Sequence, residues 1–182
     1  RVQGLPCAFC RTGNVLPYGR LLTCKEIAQQ NVFMVLADML CEEHPELRDK
    51  EREFAYMGQG EPGFSYAQVR MAIEITNQVM RELGQKVCRH IFATCGIPES
   101  IKCYKDDVEN YFTEKVTLHL SVHSLYGRDM LMPINRIYPI QESISLMKDI
   151  RKRTGEKPCI GIMLFNNFSS KNGICNYKND VN

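Results

Sequence analysis

After Thr23, apolar residues recur at helical spacing: Ala28, Val32, Val35, Leu36, Met39 and Leu40. Thr23 and Glu26 stand three apart as a capping box, which starts the helix, and His44-Pro45 ends it. Glu53 to Met57 reads as a short strand, followed by a glycine-rich turn from Gly58 to Gly63. Val69, Ala72, Ile73, Met80 and Leu83 mark a second helix, closed by Gly84. Val87 to Thr94 is a strand, and Gly96-Ile97-Pro98 turns into a short helix from about Glu99. Lys115 to Val122 is a third strand, followed by a long loop. Pro139 to Arg153 is a helix with Ile140, Ile144, Met147 and Arg151 on one side, stopped by Gly155. Pro158 to Phe165 is a final strand, and Asn166 to Asn182 reads as loop.

Strand and helix thus alternate, which predicts α/β architecture with parallel strands and right-handed crossovers. Four strands are clear, and a fifth is expected before Cys7. A complete (β/α)₈ barrel takes about 250 residues. At 182 residues the chain is read as a partial barrel, a truncated one or an open doubly wound sheet.

Composition changes this picture little. Hydrophobic residues make up 44% and charged residues 24%, which is globular, and a net charge of +2 singles out no partner. No apolar run would span a membrane, and no signal-peptide pattern is present. The chain begins at Arg1 rather than Met, so its true start is expected to be missing. Nine cysteines, an odd number without a secretory pattern, read as reduced thiols of a cytoplasmic protein, most of them small buried hydrophobes. Cys7 and Cys10 need another account.

Three segments can carry chemistry. Ligands in parallel α/β folds bind at the carboxyl ends of strands. At the first such end, Met57-Gly58-Gln59-Gly60-Glu61-Pro62, glycines let backbone N–H groups approach a ligand. Glu61 there would stand at the rim, able to pair with a ligand amino group. The same residues would also make an ordinary βα turn. At the second, His119, Ser121 and His123 share one face of a strand and Leu118, Leu120 and Val122 the other. A polar interior face suggests a cavity for a polar ligand, against the alternative of a solvent-facing strand. The third segment is Cys7-Ala8-Phe9-Cys10, a CxxC pair open to metal binding, redox chemistry or neither. No second CxxC completes a zinc site.

Taken in order, these segments resemble the radical S-adenosylmethionine RNA methyltransferases that act on C2 or C8 of adenine in ribosomal and transfer RNA. The resembling stretches are Leu5 to Gly13, Gly19 to Ile27, Tyr56 to Pro62, Arg89 to Gly96, Leu120 to His123 and Leu131 to Asn135. The resemblance covers the chain to about Phe168. It implies a partial radical-SAM-type (β/α) barrel of parallel strands with outer helices over residues 1–168, and an irregular tail over 169–182. It implies S-adenosylmethionine bound by Gly60, Glu61, Ser121, Val122 and His123. It also implies a [4Fe–4S] cluster, with Cys7 and Cys10 matching the second and third cysteines of the family's CxxxCxxC motif. Three thiolates of that motif leave one iron free for the cofactor. Ribosomal or transfer RNA would be the substrate, a reductant such as flavodoxin a partner, and the protein would touch no membrane.

Several positions depart from the pattern. Gln3 stands where the first cluster cysteine should be, and Ala93 matches a cofactor-contacting Ser. The family's methyl-carrying C-terminal Cys has no counterpart, Cys175 matching nothing, and its N-terminal accessory domain is absent. Three readings follow. One is a radical methyltransferase, or a sequence derived from one. A second is a non-catalytic paralogue or fragment that binds RNA or a protein. A third is a metal or redox module using Cys7, Cys10 and a thiol such as Cys24. The basic residues Arg11, Arg20, Arg128, Arg136, Arg151, Lys152 and Arg153 are scattered and read as solvated surface rather than a phosphate footprint. An interrupted barrel leaves an open edge strand, which predicts self-association.

Overall fold

A computed structural model of the chain describes residues 6–16, 19–163, 168–170 and 173–175. Its elements in chain order are α1 (Arg11–Val15), α2 (Cys24–Leu40), β1 (Arg52–Tyr56), α3 (Tyr66–Glu82), β2 (Val87–Thr94) and α4 (Pro98–Asn110). They continue with β3 (Val116–Ser121), α5 (Arg128–Leu131), α6 (Ile140–Thr154), β4 (Cys159–Gly161), β5 (Phe168–Ser170) and β6 (Gly173–Cys175). Strands β1 to β4 form one parallel sheet in sequence order. The predicted α/β alternation is therefore what the chain adopts.

The pleat divides the sheet into two unlike faces. On one, Tyr56, Phe92, Leu118, Leu120 and Val122 pack with Val69 and Ile73 of α3, Ile101 and Tyr104 of α4, and Ile140 and Ile150 of α6. On the other, Glu53, Ala55, Arg89, Ala93, His119, Ser121 and Cys159 are half-buried or exposed. A parallel sheet normally has both faces covered. Here the second face is the one that would look into a barrel.

Local chemistry accounts for the element boundaries. The Thr23 side chain accepts from the Glu26 N–H while Glu26 accepts from the Thr23 N–H, so the capping box forms as expected. Arg52, buried at the start of β1, pairs with Asp38 at 2.6 Å and donates to the Leu47 carbonyl at 2.7 Å. That ties α2 to the sheet. Gly96 sits at φ +98° with Ser143, Ile140 and Leu120 within 3.3 Å of where a Cβ would project, so the β2–α4 turn packs directly on α6.

Some boundaries differ from expectation. The helix after Gly96 runs 13 residues, because Ser100, Ile101 and Tyr104 bury against the sheet and extend it. In α6 the buried stripe is Ile140, Ser143, Met147 and Ile150, while Arg151 turns to solvent beside the carboxyl terminus of the helix. The stretch from Asn166 contains the two-stranded antiparallel pair β5–β6 rather than loop alone. The strand expected before Cys7, and Gln3 itself, fall in residues 1–5, outside those described. Among the described residues, no helix is long and apolar enough to cross a membrane.

Candidate functional site

Strands β1, β2 and β3 end on the same edge of the sheet, and the candidate residues gather there. After β1 the backbone passes through Gly58 at φ +128° and Gly60 at φ +97°. A side chain at Gly60 would meet no atom within 4 Å, so backbone conformation rather than crowding calls for glycine. The turn is then closed by Glu61. Its Oε1 accepts from the Gly63 N–H at 2.8 Å and from the Thr94 hydroxyl at 2.6 Å, and its Oε2 accepts from the Cys95 N–H at 2.7 Å. The carboxylate is thus first a clamp between the end of β1 and the end of β2. It is more engaged with protein than a free rim carboxylate would be.

Cys95 links this clamp to the amino-terminal segment. Its N–H donates to Glu61, and its side chain packs in the same apolar cluster as Cys7. Hydrogen bonding with Cys95 lowers the Cys7 pKa to about 7; burial opposes the shift and the Arg128 charge adds to it. The Cys95 thiol is pushed strongly up, by donating to Cys7 and by burial. Both cysteines pack against Ile97, Leu131, Met132 and Ile134. The Ala8 N–H donates to the Leu131 carbonyl at 2.8 Å, so the loop after β3 closes over the Cys7 segment. Cys10 faces elsewhere: its Sγ accepts from the Gly13 N–H at 3.2 Å and caps α1.

Arg128 holds the centre. Its side chain is buried, with Nε donating to the Val122 carbonyl at 3.0 Å and Nη1 to Asn135 Oδ1 at 2.9 Å. Nη2 donates to the carbonyls of Cys95 at 2.7 Å and Ser121 at 2.9 Å. Burial lowers its pKa, while Cys95, Cys7 and Glu61 oppose that shift. Arg128 is therefore not the surface cation expected: four acceptors along the strand ends and the following loop consume its donors.

On β3 the predicted face division is present. Val122 points its side chain into the core, so only its backbone can reach a ligand, whereas Ser121 is half-buried on the open face. His123 adopts φ +59°, rare for a residue with a side chain, and meets Phe9 edge-on at 4.9 Å. Burial and then Arg128 lower its pKa; burial and then Arg89 lower that of His119. Nε2 of His119 and Nδ1 of His123 find no hydrogen-bond partner among the described residues.

The structure thus gathers Cys7, Glu61, Ser121 and His123 at one edge with the Gly60 turn, and sets the Cys10 sulfur apart. Cys24 lies away from them: its N–H donates to Gln68 and its side chain packs on the main core. Sequence reasoning missed Thr94, Cys95, Arg128 and Asn135. Thr94, Cys95 and Asn135 lay within resembling segments that gave them no role, whereas Arg128 had no signal beyond composition. Among the described residues, no group of three His, Cys, Asp or Glu side chains is placed to hold a metal ion. A depression lined by Val108, Glu109, Arg153, Thr154 and Glu156 lies among the carboxyl-terminal parts of α4 and α6 and contains none of these residues.

Comparison with known proteins places this geometry in a class. No family model matches the chain. Its fold superposes with a TM-score of 0.69 on the crystal structure of a radical SAM methyltransferase from Sphaerobacter thermophilus. The match is 25% identical and covers 87% of this chain and 43% of that one. The architecture is thus the α/β fold of a radical SAM methyltransferase. In sequence the chain is 33% identical over 170 residues to a probable dual-specificity RNA methyltransferase RlmN of Petrotoga mobilis, covering 91% of this chain and 44% of the relative. It is 31% identical over 159 residues to the protein of that name from Thermotoga neapolitana, covering 87% of this chain and 42% of the relative. The chain is a homologue of these RNA methyltransferases and spans less than half their length.

Proposed function

We propose that this chain is the cofactor-binding portion of a radical S-adenosylmethionine RNA methyltransferase, or of a protein derived from one. Gly60 and Glu61 after β1, with Ser121, Val122 and His123 at the end of β3, would contact S-adenosylmethionine. The observation that carries this reading is the convergence at one sheet edge of an open glycine turn with His123, whose Nδ1 lacks a hydrogen-bond partner among the described residues, while the similarly unpartnered His119 lies further back on the same face of β3. Buried polar atoms without partners are costly, and a polar ligand would relieve that cost. When bound, the cofactor supplies a methyl group on a sulfonium centre. The chain's own residues would orient it: Gly60 by its bare backbone, Glu61 by a carboxylate already aligned by three donors, and Ser121 and His123 by hydrogen bonds from β3.

The iron–sulfur cluster that the family uses does not fit the described residues equally well. A cubane site takes three thiolates from the protein. Here Gln3 stands at the position of the first cysteine, the Cys10 sulfur accepts from the Gly13 N–H, and among the described residues no group of three His, Cys, Asp or Glu side chains is placed to hold a metal ion. The same mismatch favours a second reading, a cofactor- or RNA-binding protein without methyl transfer. RNA as substrate, a flavodoxin-like reductant and a cytoplasmic setting belong to the first reading.

Equilibrium dialysis with labelled S-adenosylmethionine tests cofactor binding. Saturable binding that weakens at least tenfold in Gly60→Val is expected. No binding, or equal affinity in the variant, would overturn it. Anaerobic iron and sulfide reconstitution followed by an RNA methylation assay separates the two readings.

A further inference from the structure

We propose that the outer face of α2 docks on the same face of a second copy of this chain, as an antiparallel helix pair about a two-fold axis. Helix α2 is apolar on two sides. One stripe, with Ala28, Val32, Val35 and Met39, packs into the protein. The other meets solvent: Phe33 is 64% exposed, Met34 65% and Leu40 77%, with Ala37 exposed among them. Spaced at i, i+1, i+4 and i+7, these four share one side of the helix. A surface helix ordinarily carries polar residues there, and an exposed apolar stripe marks a contact face.

The charges at the ends of α2 name the occupant. Lys25 is exposed in the first turn, and Glu42 and Glu43 are exposed just past the carboxyl end. Among the described residues, none of the three is ion-paired. An antiparallel pair brings each Lys25 to the other copy's Glu42 and Glu43, whereas a parallel pair sets like charges together. An axis level with Val35 also places each Ala37 against the other copy's Phe33, a small side chain facing a large one. The face therefore complements itself.

The stripe and its flanks would bury roughly 1,000 Å² over both copies, near the lower limit for a specific contact, so the dimer is weak and reversible. An anionic membrane suits the face less well. Interfacial helices carry Lys and Arg beside their apolar side, whereas α2 is followed by carboxylates.

This contact is distinct from the open sheet edge. Asp38 of α2 pairs with Arg52 at the start of β1, and β1 lies at the opposite end of the sheet order from β4. A two-fold helix pair closes at two copies, while an edge strand that recruits another leaves a further edge open. The proposal does not depend on cofactor binding.

The test uses the full chain under reducing conditions with p-benzoylphenylalanine in place of Phe33. Light and isotopically heavy chains are mixed and irradiated, and cross-linked peptides are mapped by mass spectrometry. The expected product joins position 33 of one copy to α2 of the other. Charge reversal is then read by sedimentation equilibrium in an Ile162→Lys background, which keeps the β4 edge from pairing. Lys25→Glu, and separately Glu42→Lys with Glu43→Lys, should each raise the dimer dissociation constant at least about fivefold. Combining all three changes should restore it to within about twofold. These positions are exposed, so the far-UV spectrum of each variant should match the parent. Met34→Glu, in the middle of the stripe, should leave a monomer. Cross-links between copies that involve β4 alone, no cross-link between copies, or no recovery in the combined variant would overturn the proposal.

Discussion

Arg128 donates to the carbonyl oxygen of Cys95 at 2.7 Å, and the same guanidinium holds the carbonyls of Ser121 and Val122. One buried cation thereby joins the ends of β2 and β3 to the loop that covers Cys7. Its donors reach backbone carbonyls and Asn135, with no carboxylate among its hydrogen-bond partners in the described residues.

Truncating that cation should be severe. Arg128→Ala leaves three carbonyls and Asn135 Oδ1 without these charged donors, and we expect a loss of about 3–5 kcal/mol in urea unfolding. Arg128→Lys, a point charge lacking the planar fork, should recover only part of this. A loss under about 0.5 kcal/mol for Arg128→Ala would show that the strand ends hold without it.

Glu61 is predicted to serve both fold and ligand. Glu61→Gln keeps the shape, but one terminal atom becomes an NH₂ facing the Thr94 hydroxyl or the Cys95 N–H, both donors. We expect a loss of about 1–2 kcal/mol in stability and weaker S-adenosylmethionine binding. Unchanged values for both would remove Glu61 from the site.

His90 makes stability depend on pH. It is fully buried, bonded to Asn77 at 2.7 Å and to the Tyr56 hydroxyl at 3.1 Å, and stacked on Phe54 and Tyr56. Burial lowers its pKa from 6.5 to about 4, so the folded state resists protonation that the unfolded chain accepts. Its stabilisation is complete above the unfolded value of about 6.5. It declines as pH falls toward 4, by about 3 kcal/mol in all. In His90→Gln, unfolding free energy between pH 7 and 4 should fall less steeply than in the parent chain. Parallel curves would refute this.

Gly96→Ala should cost about 2–3 kcal/mol, combining a backbone at φ +98° with contacts of 3.0–3.3 Å to Ser143, Ile140 and Leu120. Gly84→Ala, at φ +66° in open space, should cost less. Thermal melting of the two variants gives the order.

The isolated chain should self-associate. Ile160 and Ile162 are more than half exposed in or just after β4, which ends the sheet order, and one sheet face stays partly open. Sedimentation velocity should show species larger than the monomer that grow with concentration. A monomer at all concentrations would contradict this.

Linear pattern alone determined the alternation of elements, the parallel sheet and the edge on which the candidate residues were expected. Helical spacing in α3, the Thr23–Glu26 box and the alternation of His119 and Ser121 with Leu118 and Leu120 are local signals, set by residues a few positions apart. The contacts that define the site are not local. Ala8 bonds Leu131, Glu61 reaches Thr94, and Arg128 spans Cys95 to Asn135, because parallel strands bring distant segments to one edge. Composition made Arg128 one basic residue among many and Cys95 one thiol of nine. Only the tertiary structure decided that the first is a buried brace and the second the point where Glu61 and Arg128 meet β2, since burial and pairing depend on what the fold places beside each side chain.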